Sequence, residues 1–288
     1  MGRYAEPLIH AHQLPALVNH VEVFIAEARL AHRSSADPHD IEEEQSMTVL
    51  VSFDPTPQER QHCRMFAASL MAAVPTFEQA PGECDVSDWI VKAINKRASA
   101  HVYMVVSLPA FSREIKEAMV AAVRSLRDAQ HQEIYLVIAI AQTPSDWDDF
   151  EGVDGFVAGR DHRGVAALEM FKMVCSLIAP GLMHPIDADD LSHVIGSANA
   201  PAQFAEAVWL THTMQLQLSS PERLSELSKA NALAFMPAAA LSFESLFLLT
   251  RGVKGQVPEG CNPIVVAAYG LVNATPGWGI VPVSFLFR

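Results

Sequence analysis

Apolar residues recur along this chain with two periods, and the change between them suggests its organisation. Leu17, Val21, Phe24 and Ala28 are three to four positions apart, the spacing of one helix face. Residues 1–46 are therefore expected to form a helical N-terminal extension, ending in the polar, acidic linker SSADPHDIEEEQ, Ser34–Gln45. The core is expected to start at Met47. MTVLVSF is a short β-rich run that stops at the turn Asp54-Pro55-Thr56-Pro57. Pro57 to Ala73, with Cys63, Phe66 and Leu70, has helical spacing, and so has Val86 to Ile94. HVYMVVS, His101–Ser107, is a predicted strand. A long amphipathic helix follows, with Ile115, Met119, Ala122 and Leu126 on one face. IYLVIAIA, Ile134–Ala141, is apolar on both faces, as suits a parallel strand covered by helices on both sides. Gly155–Ala158 is a fourth short strand. This alternation over residues 47–163 predicts a doubly wound, Rossmann-like α/β layer with a mostly parallel sheet.

The second half, residues 164–288, has another pattern. Val165 to Ile178 is a mostly apolar helix, stopped by Pro180-Gly181. Asp187 or Asp189 is placed to cap a short helix through Ile195. Phe204–Leu210 and Ala232–Met236 are expected strands, Ala238–Lys254 a helix, and Asn262–Val272 and Ile280–Phe287 the closing strands. Pro282 predicts that the last strand lies at a sheet edge. The fold class expected is thus α/β, joined by a central helix to a smaller α+β domain. No internal repeat occurs.

Composition narrows the function classes. The 288 residues carry a formal charge of −13, which argues against a nucleic-acid footprint and against docking on anionic lipid. Half the residues are hydrophobic and only 18% are charged, so much of the surface is expected to be buried or at an interface. The most apolar stretch, Ala232–Thr250, contains Pro237 and Glu244, so a buried strand and helix are expected there and no membrane span. Cys63, Cys84, Cys175 and Cys261 form no C-x-x-C pair, and no secretory signal is evident, which together predict free thiols and a cytoplasmic location.

Phosphate binding on an α/β layer needs glycines where a strand turns into a helix, because the backbone must approach the anion closely. The two such turns, Phe53-Asp54-Pro55-Thr56-Pro57 and Leu108-Pro109-Ala110-Phe111-Ser112, contain none. Asp54 would repel a phosphate, and each proline removes an N–H donor. No P-loop, G-x-G-x-x-G or G-x-S-x-G is present.

The order of elements nevertheless resembles the FtsZ/tubulin family. LIAPGLMHPIDADDLSHVI, Leu177–Ile195, resembles the end of that family's central helix and the acidic loop that reaches the neighbouring subunit's nucleotide. Gly181-Leu182 is present, and Asp187 and Asp190 fall on the two acidic positions with one residue inserted; Pro185 replaces the usual Asn. Ser219-Ser220-Pro221, the strand ALAFM, the helix after it and the two closing strands match the family's second domain in order. Upstream, Ala100–Pro144 resembles the strand–loop–helix–strand around the phosphate loop. VDGFVAGRDHR, Val153–Arg163, is similar to the segment that carries the base-reading Asn, with Asp161 in that place. The glycine signature is replaced by Leu-Pro-Ala-Phe-Ser-Arg-Glu, and the first glycine-rich loop by Asp-Pro-Thr-Pro. The chain ends at Arg288, just after the last predicted strand, where the family carries a flexible tail for membrane adaptors.

The resemblance implies a degenerate member that has lost GTP binding: a non-enzymatic assembly or scaffolding protein of the cytoskeletal type, without cofactor or metal. It would self-associate or bind a related subunit. The alternative expectation is an enzyme or ligand-binding module with an unrecognised pocket on the α/β layer. Three readings stay open for Asp187, Asp189 and Asp190: a capped helix start, a subunit-contact loop, and a metal site with His184 or His193. His10-x-His12 has no evident partner ligands. Trp147 is read as a packing anchor, and Met170 and Met173 as core. Ser112 and Ser284 have no base nearby in sequence, so nucleophilic catalysis has no support there.

Overall fold

A computed structural model describes residues 21–33, 41–53, 56–61, 76–78, 85–96, 101–108, 113–128, 133–141, 152–159, 163–178, 191–197, 200–210, 212–213, 215–218, 231–238, 243–256, 259, 262–269 and 280–288. The first described elements are two long antiparallel strands, β1 (Val21–Arg33) and β2 (Ile41–Phe53), paired from Val21↔Phe53 to Arg33↔Ile41. This corrects the expected helical extension and linker where they are described: residues 21–33 are a strand of the sheet, and residues 41–46 belong to the next strand, while residues 34–40 lie outside the described set. Residues 1–20 lie outside the described set. The physical reason is that Val21, Val23 and Ile25 fill one face of the sheet while Phe24 and Ala26 fill the other, all of them buried. A strand apolar on both faces contains subsets at helical spacing, so Val21 and Phe24 mimic a helix stripe.

The remaining elements in order are α1 (residues 57–61), β3 (Thr76–Glu78), α2 (Val86–Asn95), β4 (His101–Ser107), α3 (Arg113–Arg127), β5 (Glu133–Ala141), β6 (Gly155–Ala158) and α4 (Arg163–Ile178). Then come β7 (Ala202–Leu210), β8 (Gln215–Leu218), β9 (Asn231–Ala238), α5 (Phe243–Gln256), β10 (Asn262–Tyr269) and β11 (Ile280–Phe287). One sheet joins the strands in the order β10-β9-β11-β7-β6-β5-β4-β2-β1-β3, with β8 beside β7. Its centre, β2-β4-β5-β6-β7, is parallel; both flanks contain antiparallel pairs.

Helices cover both faces of the parallel centre, as an α/β layer requires. On one face Ile90 and Ile94 of α2 and Met119, Ala122 and Leu126 of α3 pack on Val49, Met104 and Val137. On the other, Met170, Phe171 and Val174 of α4 pack on Leu50, Val105 and Ile138. Asp85 caps α2 by accepting from the Asp88 N–H at 3.2 Å. The steps β4→β5 and β6→β7 run the same way along the sheet, yet α3 and α4 lie on opposite faces. The two crossovers therefore have opposite hands, and only one obeys the right-handed rule. The joint between β6 and β7 is narrow: the two strands share only Val157↔Ala202 and Ala158↔Gln203.

That joint is tightened by glycine. Gly196 exchanges both backbone hydrogen bonds with Phe156, at 2.9 and 3.2 Å. A Cβ on Gly196 would collide with the Ala200 carbonyl and the Ala202 nitrogen, which are main-chain atoms and cannot step aside. Glu169 of α4 adds a side-chain tie, accepting from Ser284 of β11 and from Lys172, each at 2.6 Å.

Further corrections concern the second half. β11 is not an edge strand; it lies between β7 and β9. Pro282 stands opposite Val208 of β7 and outside the stretch that β9 pairs, Ser284–Phe287, so only one neighbouring strand is in register with the proline. Pro237 likewise lies in β9 beyond the part that β11 pairs. β3 and β8 are strands without a sequence expectation, at three and four residues too short to show a period. The helix expected from Ala238 begins at Phe243, and β9 takes Ala238. Among the described residues, no helix is long and apolar enough to cross a membrane.

Candidate functional site

In an open α/β sheet, ligands bind beyond the carboxyl ends of the parallel strands. β2 and β4 end side by side, with Ser52↔Ser107 as their last register pair. β1 runs the other way and brings Glu22 opposite Ser52. Glu22, Ser52 and Ser107 therefore form a row across three strands, and none of the three is exposed to solvent. They lie on the sheet face that α4 covers.

Helix α1 completes the cluster. Thr56-Pro57-Gln58-Glu59 is a Thr-x-x-Glu helix start with Pro at the first helical position. The Thr56 hydroxyl accepts from the Glu59 N–H at 3.1 Å, and the Thr56 carbonyl from the Arg60 N–H at 3.0 Å. Fixed this way, α1 turns Glu59 inward, where it accepts the Ser52 hydroxyl at 2.6 Å and is 1% exposed. The next residue, Arg60, sends its Nε to within 3.3 Å of Glu22 Oε1; the Glu22 side chain is wholly buried and that of Arg60 is 33% exposed.

The site thus holds two acidic side chains, one guanidinium and two hydroxyls. Its acidic excess opposes a phosphate. Ser52 and Glu59 lie too deep to meet a substrate in this conformation. Ser107 Oγ is buried and has no hydrogen-bond partner among the described residues.

Residues 54–55 and 109–112 of the two expected turns lie outside the described residues, as do Asp187, Asp189 and Asp190, His184, His10, His12, Trp147, Asp161 and Ser112. His193 is exposed. Met170 and Met173 are core residues, and Cys175 is a buried thiol that is not in a disulfide. Ser284, without a base nearby in sequence, does receive a carboxylate partner in Glu169; Lys172 holds the same carboxylate, so the group serves as a tie between α4 and β11. Among the described residues no three His, Cys, Asp or Glu side chains converge as a metal site would need.

Sequence patterning does not single out Glu22, Ser52, Glu59, Arg60 or Ser107. Two signals were available: a lone acid inside the apolar run VEVFIA, and the Thr-x-x-Glu helix start directly after a strand. No family model and no curated protein matches the chain.

Proposed function

We propose that this protein is a non-enzymatic assembly or scaffolding subunit of FtsZ/tubulin-like architecture, acting in the cytoplasm and associating with its own kind or a related subunit without a GTP switch. On this reading residues 47–163, extended by β1, are a degenerate nucleotide-binding unit. Residues 164–288 are a central helix and a smaller α+β unit, and Asp187 and Asp190 belong to a contact loop.

One observation supports the reading: where β2 and β4 end side by side, the chain's own Glu59 is buried and bonded to Ser52 at 2.6 Å, and Glu22 pairs Ser52 in register. An anion entering there would meet two acidic groups instead of glycine N–H donors. The ordered run of β9, α5, β10 and β11 supports the second unit in the sequence order that the resemblance implies. The test has two arms. Titration with GTP and GDP should give no heat of binding, and sedimentation of the nucleotide-free chain should give dimers or larger species at micromolar concentration. Binding of GTP, or a strictly monomeric chain, would refute it.

A ligand-binding module is the second reading, and Ser107 is the observation in its favour. A buried hydroxyl without a partner is uncommon, and this one, at a strand's carboxyl end, has none among the described residues. A small molecule retained through gentle native mass spectrometry would favour that reading over assembly.

A further inference from the structure

Helix α5 packs on β8 and β10, and its other side faces outward. Phe247 and Leu248 are 61% and 41% exposed, and Arg251, Lys254 and Gly255 are exposed as well. At 3.6 residues per turn these five positions fall within about 120° of the helix circumference, so they form one face. A Cβ built on Gly255 would meet nothing within 4 Å. Phe247 and Leu248 are the exposed large hydrophobic residues among those described. Single apolar residues at a surface are ordinary. Here an aromatic and a leucine are adjacent, with a guanidinium one turn further along the same face.

That face is complementary to itself. Phe247 and Arg251 are four positions apart, neighbours on the helix surface. A second α5 laid antiparallel, with the two-fold axis midway between these residues, brings Arg251 of each copy to the level of Phe247 of the other. The face of an aromatic ring carries negative potential and attracts a cation, guanidinium most often. Symmetry makes the pair twice. The same axis passes beside Leu248, which then meets its own counterpart. A parallel arrangement would set Arg251 against Arg251 and leave both rings without a cation.

We propose that this face of α5 is a two-fold contact between copies of the chain, built on Phe247, Leu248 and Arg251. The proposal rests on the assembly reading above and names a surface for it. The occupant is a second copy because the ring and the cation that complement each other lie on the same face. Aromatic residues and arginine are enriched in such contacts and lysine is depleted, which places Lys254 at the rim. The contact is isologous: residue 247 meets residue 251, and 251 meets 247. It therefore closes on itself and gives a dimer.

The test exchanges the two groups in the full chain, read by sedimentation velocity. The first variant carries Phe247→Arg, which sets cation against cation; the second carries Arg251→Glu, which sets an anion against the ring; the third carries both. Each single variant should need a concentration higher by roughly tenfold or more to dimerise, because every change counts twice across the axis. The double variant should dimerise like the parent, since residue 247 of each copy now meets an opposite charge at 251 of the other. An equimolar mixture of the two single variants should form the mixed dimer. Both positions are exposed, so urea midpoints should stay near the parent's; recovery in the double variant and in the mixture is a result that a damaged helix would not give. Dimerisation of either single variant at the parent's concentration, or no recovery in the double variant, would overturn the α5 contact while leaving self-association standing. A parent chain that stays monomeric would overturn both.

Discussion

Ser52 and Glu59, seven positions apart, are joined by a buried hydrogen bond of 2.6 Å that closes the carboxyl end of β2 with the first turn of the next helix. Its removal leaves a carboxyl group buried with one donor fewer. Ser52→Ala is therefore expected to cost about 1–3 kcal/mol. Thr48 lies four positions earlier on the same strand and face, buried, with a hydroxyl that has no hydrogen-bond partner among the described residues. Thr48→Val should be neutral or stabilising. Urea midpoints of the two variants, moving apart in opposite senses or with Thr48→Val unchanged, would bear this out; equal losses would not.

Glu22 and Arg60 should show strong coupling. Arg60→Met takes a guanidinium from a wholly buried carboxyl. Breaking a fully buried pair costs about 3–5 kcal/mol; the partial exposure of Arg60 places the loss near the low end. Replacing both residues, Glu22→Leu with Arg60→Met, should restore most of the stability, because the buried charge goes as well. A double variant as unstable as the sum of the singles would contradict the pairing.

Gly196→Ala should destabilise the β6–β7 joint by about 1–3 kcal/mol, the range for overpacking, because the added methyl meets main-chain atoms of Ala200 and Ala202. Hydrogen exchange should quicken first at the Phe156 amide, which bonds to Gly196. Exchange that quickens uniformly over the whole sheet would place the damage elsewhere.

How far the fold could be foreseen depended on whether each element has one wet face. The helices α2 and α3 alternate buried and exposed positions, and β4 and β5 are short apolar runs, so patterning finds α2, β4 and β5 within a residue or two and the buried face of α3. β1 has no such contrast: Val21 through Ala26 are all buried, Glu22 included, and a helix stripe fits the same letters. The position of Pro282 was misleading because a strand can be interior along half its length and open along the other half. The candidate site was hidden for a different reason. Ser52 meets Glu59 only once α1 has folded back on β2, and Glu22 meets Arg60 only once β1 has paired with β2 as well. The lone acid in VEVFIA and the Thr-x-x-Glu helix start mark Glu22 and Glu59, but not the partner that each one meets.

Asp187 and Asp190 can be tested through chemistry that separates a cap from a contact. Asn caps a helix about as well as Asp, so as caps the double variant Asp187→Asn, Asp190→Asn should lose only about 0.3–1 kcal/mol per residue in charge–dipole energy. As a contact loop, losing two negative charges should change association and its salt dependence far more than the melting temperature. The assembly reading expects the second result. Equal association of variant and parent at low and high salt would remove these two aspartates from the contact.

The most direct test of the central claim is isothermal titration of the full chain with GTP and with GDP, each with and without magnesium. With Glu59 and Glu22 occupying the end of β2 and no glycine in either turn, the expected result is no heat of binding under any of the four conditions. A dissociation constant in the low micromolar range, about −8 kcal/mol, would contradict the claim that the chain's own side chains have closed that site.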